Sequence, residues 1–239
     1  MIYVISDLHG YPFERFTELL KKAGFSENDF LYVLGDVVDR GKEGVRYLLW
    51  LKEQKNAGLL LGNHEDMMRK CDFLFSPDAL ELMRKLDNNQ RVNLGIWMAN
   101  GADDTVRGLF EVSQEEREEI FRYLCTLAPY RTVSAGGREF VLTHSGLRDF
   151  APQSPLTTTL CTTSSGTAPS FPTVILMTKP QCSVTRLPSS TARSTRAKSS
   201  RPTRGSILTQ AQATAIRPSC CALTIWSCFH NYRSTYIVT

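Results

Sequence analysis

Phe30-Leu31-Tyr32-Val33-Leu34-Gly35-Asp36-Val37-Val38-Asp39-Arg40-Gly41 is the stretch on which the fold turns. Five apolar residues in succession read as a strand covered on both faces. The Gly35 that follows opens a turn bearing two carboxylates and a guanidinium. Three more segments share this plan. Met1-Ile2-Tyr3-Val4-Ile5 runs into Asp7-Leu8-His9-Gly10, Gly58-Leu59-Leu60-Leu61 into Gly62-Asn63-His64-Glu65, and Phe140-Val141-Leu142-Thr143 into His144-Ser145-Gly146. Each places ligand-type side chains at the C-terminal end of a buried strand, where open α/β sheets collect their sites.

Helix patterns separate these strands. Phe13 to Ala23 carries Phe13, Phe16, Leu19, Leu20 and Ala23 close to one face, with Gly24 to end it. Gly44 to Gln54 repeats the pattern with Val45, Leu48, Leu49 and Leu51. Ser113 with Glu116 three residues later predicts a capping box, opening a helix through Ile120, Phe121, Leu124 and Ala128. The order is strand, helix, strand, helix, strand, then a helical insertion over about 66–128, then a strand pair around Gly136-Gly137. Lys21-Lys22 and the run from Glu115 to Glu119 read as solvated helix faces, and Cys71 and Cys125 as buried thiols.

Taken in order, the four segments resemble the metallophosphoesterase (calcineurin-like) superfamily. The central GDVVDRG resembles the GDxxDRG motif of its phosphoprotein phosphatase branch, with the bacterial Ser/Thr protein phosphatases as the nearest type. The resemblance covers about residues 1–150. It implies an α/β sandwich of two mixed sheets flanked by helices, and two divalent metal ions, manganese first with iron or zinc as alternatives. By this resemblance Asp7 and His9 hold the first ion, Asp36 bridges both, and Asn63 and His144 hold the second. His64 is the acid that protonates the leaving oxygen, oriented by Asp39. Arg40 grips the phosphate through its planar fork, with Asn63 also on the substrate side. Glu65 receives no role. Trp97-Met98-Ala99-Asn100-Gly101 resembles the W-x-x-N-G stretch of bacterial members, which lines the cleft; Trp97 and Asn100 divide evenly between packing and substrate contact.

The residue types suit that chemistry. Phosphoesters repel hydroxide, and neutral water is a weak nucleophile. Two divalent ions about 3.5–4 Å apart answer both problems by clamping phosphoryl oxygens and lowering the pKa of a bound water. Carboxylate, amide oxygen and imidazole are the ligands such ions prefer.

The last third departs from this pattern. Residues 151–239 contain no Asp or Glu, two Lys and seven Arg, while residues 1–150 hold 19 basic against 24 acidic residues. The overall net charge of +4 therefore averages two unlike pieces. Thr and Ser make up 31 of the 89 tail residues, five of the seven cysteines lie there, and the family's later G-H-T ligand segment is missing from it. A disordered basic arm for nucleic acid or membranes is one explanation, a divergent domain a second, and a gene read in the wrong frame a third. Acidic codons begin GA, so a one-base slip turns most of them into codons for Thr, Ser, Asn, Lys or Arg. Pro172 to Arg186 is compatible one base earlier with D-R-Y-F-D-D-K-T-A-V-F-G-H-T, which restores the lost segment, its histidine falling across Val184 and Thr185. The expectation is a frame break between about Asp149 and Thr158, a disordered tail, and a second sheet missing its last strands. His230, the one candidate replacement ligand, lacks the family context.

The function expected is hydrolysis of phosphate monoesters, phospho-Ser/Thr on proteins first, with a phosphoprotein or a small phosphoester as the partner. Symmetrical dinucleoside tetraphosphate hydrolysis is the alternative within the class, and an inactive metal-poor binding protein the alternative outside it. Nucleic-acid binding is not expected. Met1 leads directly into the first strand, leaving no room for a signal peptide, and no apolar run is long enough to span a membrane. Free thiols and the absence of a disulfide framework in the body point to the cytoplasm.

Overall fold

The computed structural model describes residues 1–145 in full and, beyond them, the backbone of strands at 173–178, 181–183, 225–230 and 233–238. Three parallel strands start the first sheet: β1 (Ile2–Ile5) beside β2 (Phe30–Val33), and β2 beside β3 (Ala57–Leu59). Helices α1 (Phe13–Lys22) and α2 (Gly44–Glu53) make the crossovers. Gly24, at φ +76°, stops α1 in the left-handed conformation that glycine adopts without strain. The antiparallel strands β8 (Ile225–His230) and β9 (Arg233–Val238) complete the order β3-β2-β1-β9-β8. The second sheet is antiparallel throughout, in the order β4 (Tyr130–Ala135), β5 (Arg138–Thr143), β6 (Thr173–Thr178), β7 (Gln181–Ser183).

Period-two alternation divides each central strand between two cores. Tyr3 and Ile5 of β1, with Leu31 and Val33 of β2, pack under the helices. Val4 and Leu34, joined by the partly buried Ile2 and Tyr32, face Val133, Phe140 and Leu142 of the second sheet. Cover on both faces is why these strands read as unbroken apolar runs.

Between β3 and β4 the chain runs through α3 (Asn63–Arg69), a 3₁₀ turn (Asp72–Phe75), α4 (Ala79–Leu82), α5 (Asn88–Ala99), α6 (Asp103–Glu111) and α7 (Gln114–Thr126). Helix starts earlier than the sequence suggested. Gly62 is extended and takes the N-cap, so Asn63, His64 and Glu65 form the first turn of α3 rather than the turn before it. The capping box of α7 is present: Ser113 Oγ accepts from the Glu116 N–H at 3.2 Å, and Glu116 Oε2 from the Ser113 N–H at 2.9 Å. An unforeseen one opens α5, where Asp87 Oδ1 accepts from the Gln90 N–H at 2.8 Å and Gln90 Oε1 from the Asp87 N–H at 3.1 Å. Cys71 is buried as expected, but Cys125 is exposed, since it follows the buried Leu124 onto the outer face of α7.

Strands β6 to β9 fall where the sequence leads one to expect disorder and an incomplete second sheet. Thr173-Val174-Ile175 and Thr235-Tyr236-Ile237-Val238 are runs of β-branched and aromatic residues, which favour pleated backbone whatever their origin. Gly146, Val184 and Thr185 lie outside the described residues, as does the side chain of His230. Among the described residues no helix is long and apolar enough to cross a membrane.

Candidate active site

The four strand-end segments converge. The Asp7 N–H donates to Gly35 O at 3.2 Å and the His9 N–H to Asp36 O at 3.0 Å, tying the turns after β1 and β2 together. Gly35, at φ +97°, brings the β2 turn against the β3 turn; a Cβ on it would lie 2.6 Å from Gly62 Cα, so only glycine permits this approach. Asp7, Asp36, Asp39 and Arg40 all have φ between 56° and 71°. Left-handed backbone costs a non-glycine residue on the order of 1 kcal/mol or more, and four such residues in one place mark a site held against strain.

Asp36 stands at the centre. Its Oδ2 lies 3.2 Å from His9 Nε2, 3.4 Å from His144 Nε2 and 4.0 Å from His64 Nε2. His9 Nδ1 donates to Val38 O at 2.5 Å and His144 Nδ1 to Leu34 O at 2.8 Å. A carbonyl only accepts, so in both rings the proton sits on Nδ1 and the bare Nε2 faces inward. His9 Nε2 is buried without a hydrogen-bond partner among the described residues, and His144 Nε2 lies 3.0 Å from Asn63 Oδ1. With that oxygen as its neighbour, the lone pairs repel one another unless a cation sits among them, and imidazoles anchored through Nδ1 to backbone carbonyls are built to present Nε2 to one. The donor set fits divalent metal.

Among the described residues, two groups of side chains offer ligand atoms within 4.8 Å of one another: Asp7, Asp36 and His144, and His9, Asp36 and His64. Asp36 belongs to both. The partition differs from the one the resemblance implies, since Asp7 sits with His144 and His9 with His64. Burial pushes the Asp36 carboxyl up, but His144, His9 and His64, when protonated, outweigh burial and hold it below the ordinary carboxylate range. Asp7 goes the other way: burial raises it, and Asp36 adds to this against the pull of His144.

His64 is bonded differently from the other two. Its Nδ1 donates to Asp39 Oδ2 at 2.5 Å, and Arg40 Nη2 donates to its Nε2 at 3.1 Å. Burial opposes the charged ring, yet the Asp39 hydrogen bond and the Asp36 and Asp39 charges raise its pKa. Trp97, left between packing and substrate contact by its sequence, is fully buried and donates its indole N–H to Asp39 Oδ2 at 2.8 Å. Asn100 presents its carbonyl to Arg40 Nε at 3.4 Å and turns its amide back to Ile96 O at 2.8 Å.

Glu65 is the residue that sequence reasoning passed over. It is fully buried; Oε2 accepts from the N–H groups of Asp36 (2.8 Å) and Gly62 (3.1 Å), and Oε1 from Val37 (2.9 Å) and Val38 (3.4 Å). One carboxylate thus shapes the turn that carries Asp36. Its place three residues after an N-cap glycine was the available signal, since a Glu there reaches back to the cap N–H. The other three donors come from a different turn and leave no local trace.

A parallel-sheet edge closed by a second sheet, with carboxylates and inward-facing imidazoles at the strand ends, defines a metal-dependent hydrolase site. Residues 1–162 match the calcineurin-like phosphoesterase family, and the chain belongs to that family. A symmetrical bis(5'-nucleosyl)-tetraphosphatase of Buchnera aphidicola subsp. Acyrthosiphon pisum (strain Tuc7) is 36% identical over 102 residues, covering 35% of this chain and 36% of the relative. One of the same name from Haemophilus ducreyi (strain 35000HP / ATCC 700724) is 36% identical over 100 residues, covering 35% of this chain and 37% of the relative. The matched stretch spans little more than a third of these relatives' length. The solved hypothetical protein PH1004 from Pyrococcus horikoshii OT3 is 18% identical, covers 64% of this chain and 62% of its own, and superposes with a TM-score of 0.35, too distant to bear on function. These relatives correct the expectation of a protein Ser/Thr phosphatase acting on phosphoproteins. GDxxDRG is common to that branch and to the symmetrical tetraphosphatases, so the motif could not separate them.

Proposed function

We propose that this chain is a symmetrical dinucleoside tetraphosphate hydrolase, with its catalytic domain in residues 1–150. The observation that carries the reading is the similarity of a stretch of this chain to relatives with that name. Asp7, His9, Asp36, Asn63 and His144 are the proposed metal ligands, with manganese first and iron or zinc as alternatives for so mixed a donor set. Divalent ions, when bound there, would neutralise the phosphoryl oxygens and lower the pKa of the attacking water.

The remaining steps belong to side chains of this chain. Arg40 leaves His64 to grip a phosphate through its guanidinium fork, assisted by Asn63 on the substrate side. That release frees His64 Nε2 to take up a proton from water, which the neighbouring carboxylates favour, and to pass it to the oxygen of the departing nucleoside diphosphate. Asp39, bonded to Nδ1, holds the ring and stabilises its charged form. The free thiols Cys71 and Cys125 suit a reducing cytoplasm.

The test is hydrolysis of diadenosine tetraphosphate beside a phosphopeptide, with products separated by ion-exchange chromatography. The expected outcome is ADP as the single nucleotide product and little phosphopeptide turnover. ATP with AMP, or preference for the peptide, would overturn the reading.

A further inference from the structure

We infer that Trp97 is a positioning residue for the Asp39–His64 pair, a role that rests on the reading of His64 as the acid. Asp39 and Arg40 are consecutive non-glycine residues in left-handed backbone, at φ 71° and 61°. Such a pair persists only where its surroundings over-determine it. Here the constraint comes from the last turn of α5, the first turn of α6 and the turn that joins them. Thr105 Oγ1 accepts from the Asp39 N–H at 2.8 Å, Gly101 O accepts from the Arg40 N–H at 2.8 Å, and the Trp97 indole donates to Asp39 Oδ2 at 2.8 Å. Gly101 itself, at φ +96°, comes so close that a Cβ would lie 2.9 Å from Arg40 Cγ.

The shared oxygen gives Trp97 its effect on His64. Asp39 Oδ2 receives the indole N–H and, at 2.5 Å, the His64 Nδ1–H, while Oδ1 is buried with no partner among the described residues. Two donors on one oxygen fix the rotation of the carboxylate, and the carboxylate fixes the ring. Asp39 and Trp97 are both fully buried, so water does not replace a lost bond at no cost. Without the indole N–H the carboxylate is free to turn its unpartnered oxygen toward His64, and the ring loses its single orientation. Gly101 acts on the other neighbour: it places Arg40, which meets substrate rather than the leaving oxygen.

The test pairs a spectroscopic readout with kinetics. In ¹⁵N-labelled protein the Trp97 indole resonance is identified by its loss in Trp97→Phe. In Asp39→Asn it is expected to move upfield and to exchange with solvent about tenfold faster or more. An unmoved resonance with unchanged exchange overturns the inference, whether or not the protein turns over substrate. On diadenosine tetraphosphate, Trp97→Phe is expected to lower kcat about tenfold with KM within about twofold, the size typical of losing a group that orients a reacting side chain. Gly101→Ala is expected to raise KM instead. His64→Ala is the reference. If it lowers kcat and Trp97→Phe does not, the positioning role falls alone; if it leaves kcat unchanged, the acid reading falls and takes the role with it.

Discussion

Glu65 shows how much one side chain can settle. Its two oxygens accept four backbone N–H groups from the turns after β2 and β3, one or more at each end of the site. Glu65→Gln replaces one oxygen with an amide that points its own hydrogens at those donors. The expected loss is about 2–3 kcal/mol, the cost of unsatisfied buried donors, read as a lower urea midpoint in metal-free protein. An unchanged midpoint would show that the turn holds itself. The two body cysteines make a second residue-level contrast. Burial pushes the Cys71 thiol up to about 12, with Asp72 adding to it, whereas Cys125 is exposed. Iodoacetamide at neutral pH should therefore label Cys125 in the native protein and Cys71 only after unfolding, mapped by peptide mass spectrometry. Early labelling of Cys71 would contradict its placement in the core.

At the scale of elements, the site depends on helices that contribute no metal ligand. Helix α5 carries Trp97 into contact with Asp39, and Thr105 follows on α6. The start of α5 is secured by the Asp87–Gln90 box, whose groups are exposed. Asp87→Ala is expected to cost about 1 kcal/mol, seen by thermal unfolding, with amide exchange accelerated in the first turn of α5. A loss of several kcal/mol would mean that the cap does more than end a helix. The box was legible in the sequence as Asp87 followed by Gln90, but Asn88 and Asn89 between them are weak helix formers, and no clean apolar stripe drew attention to the segment. The α7 box was read because Glu-rich turns and a clear apolar face follow it.

For the whole molecule, the unlike halves of the chain are the main question. The family match ends at residue 162, close to the point where acidic residues stop appearing. We propose a frame break between about Asp149 and Thr158. A fresh nucleotide read across the codons for residues 149–163 is expected to show a missing or extra base. Confirmation of the present reading would overturn that and make the basic tail a genuine product of the gene. Strands β6 to β9 extend both sheets in backbone terms.

By itself the sequence determined the α/β class, the strand ends that carry the proposed ligands, and the residues that gather there. Those are short-range properties: an apolar run sets a strand, a glycine sets the turn after it, and the polar residue that follows has nowhere else to point. Tertiary structure alone decided what those residues touch. His144 anchors to Leu34 O across 110 positions, and Trp97 reaches Asp39 across 58. Glu65 binds a turn on another strand. No local pattern encodes such contacts, because they exist only once the two sheets and the inserted helices have packed around Asp36.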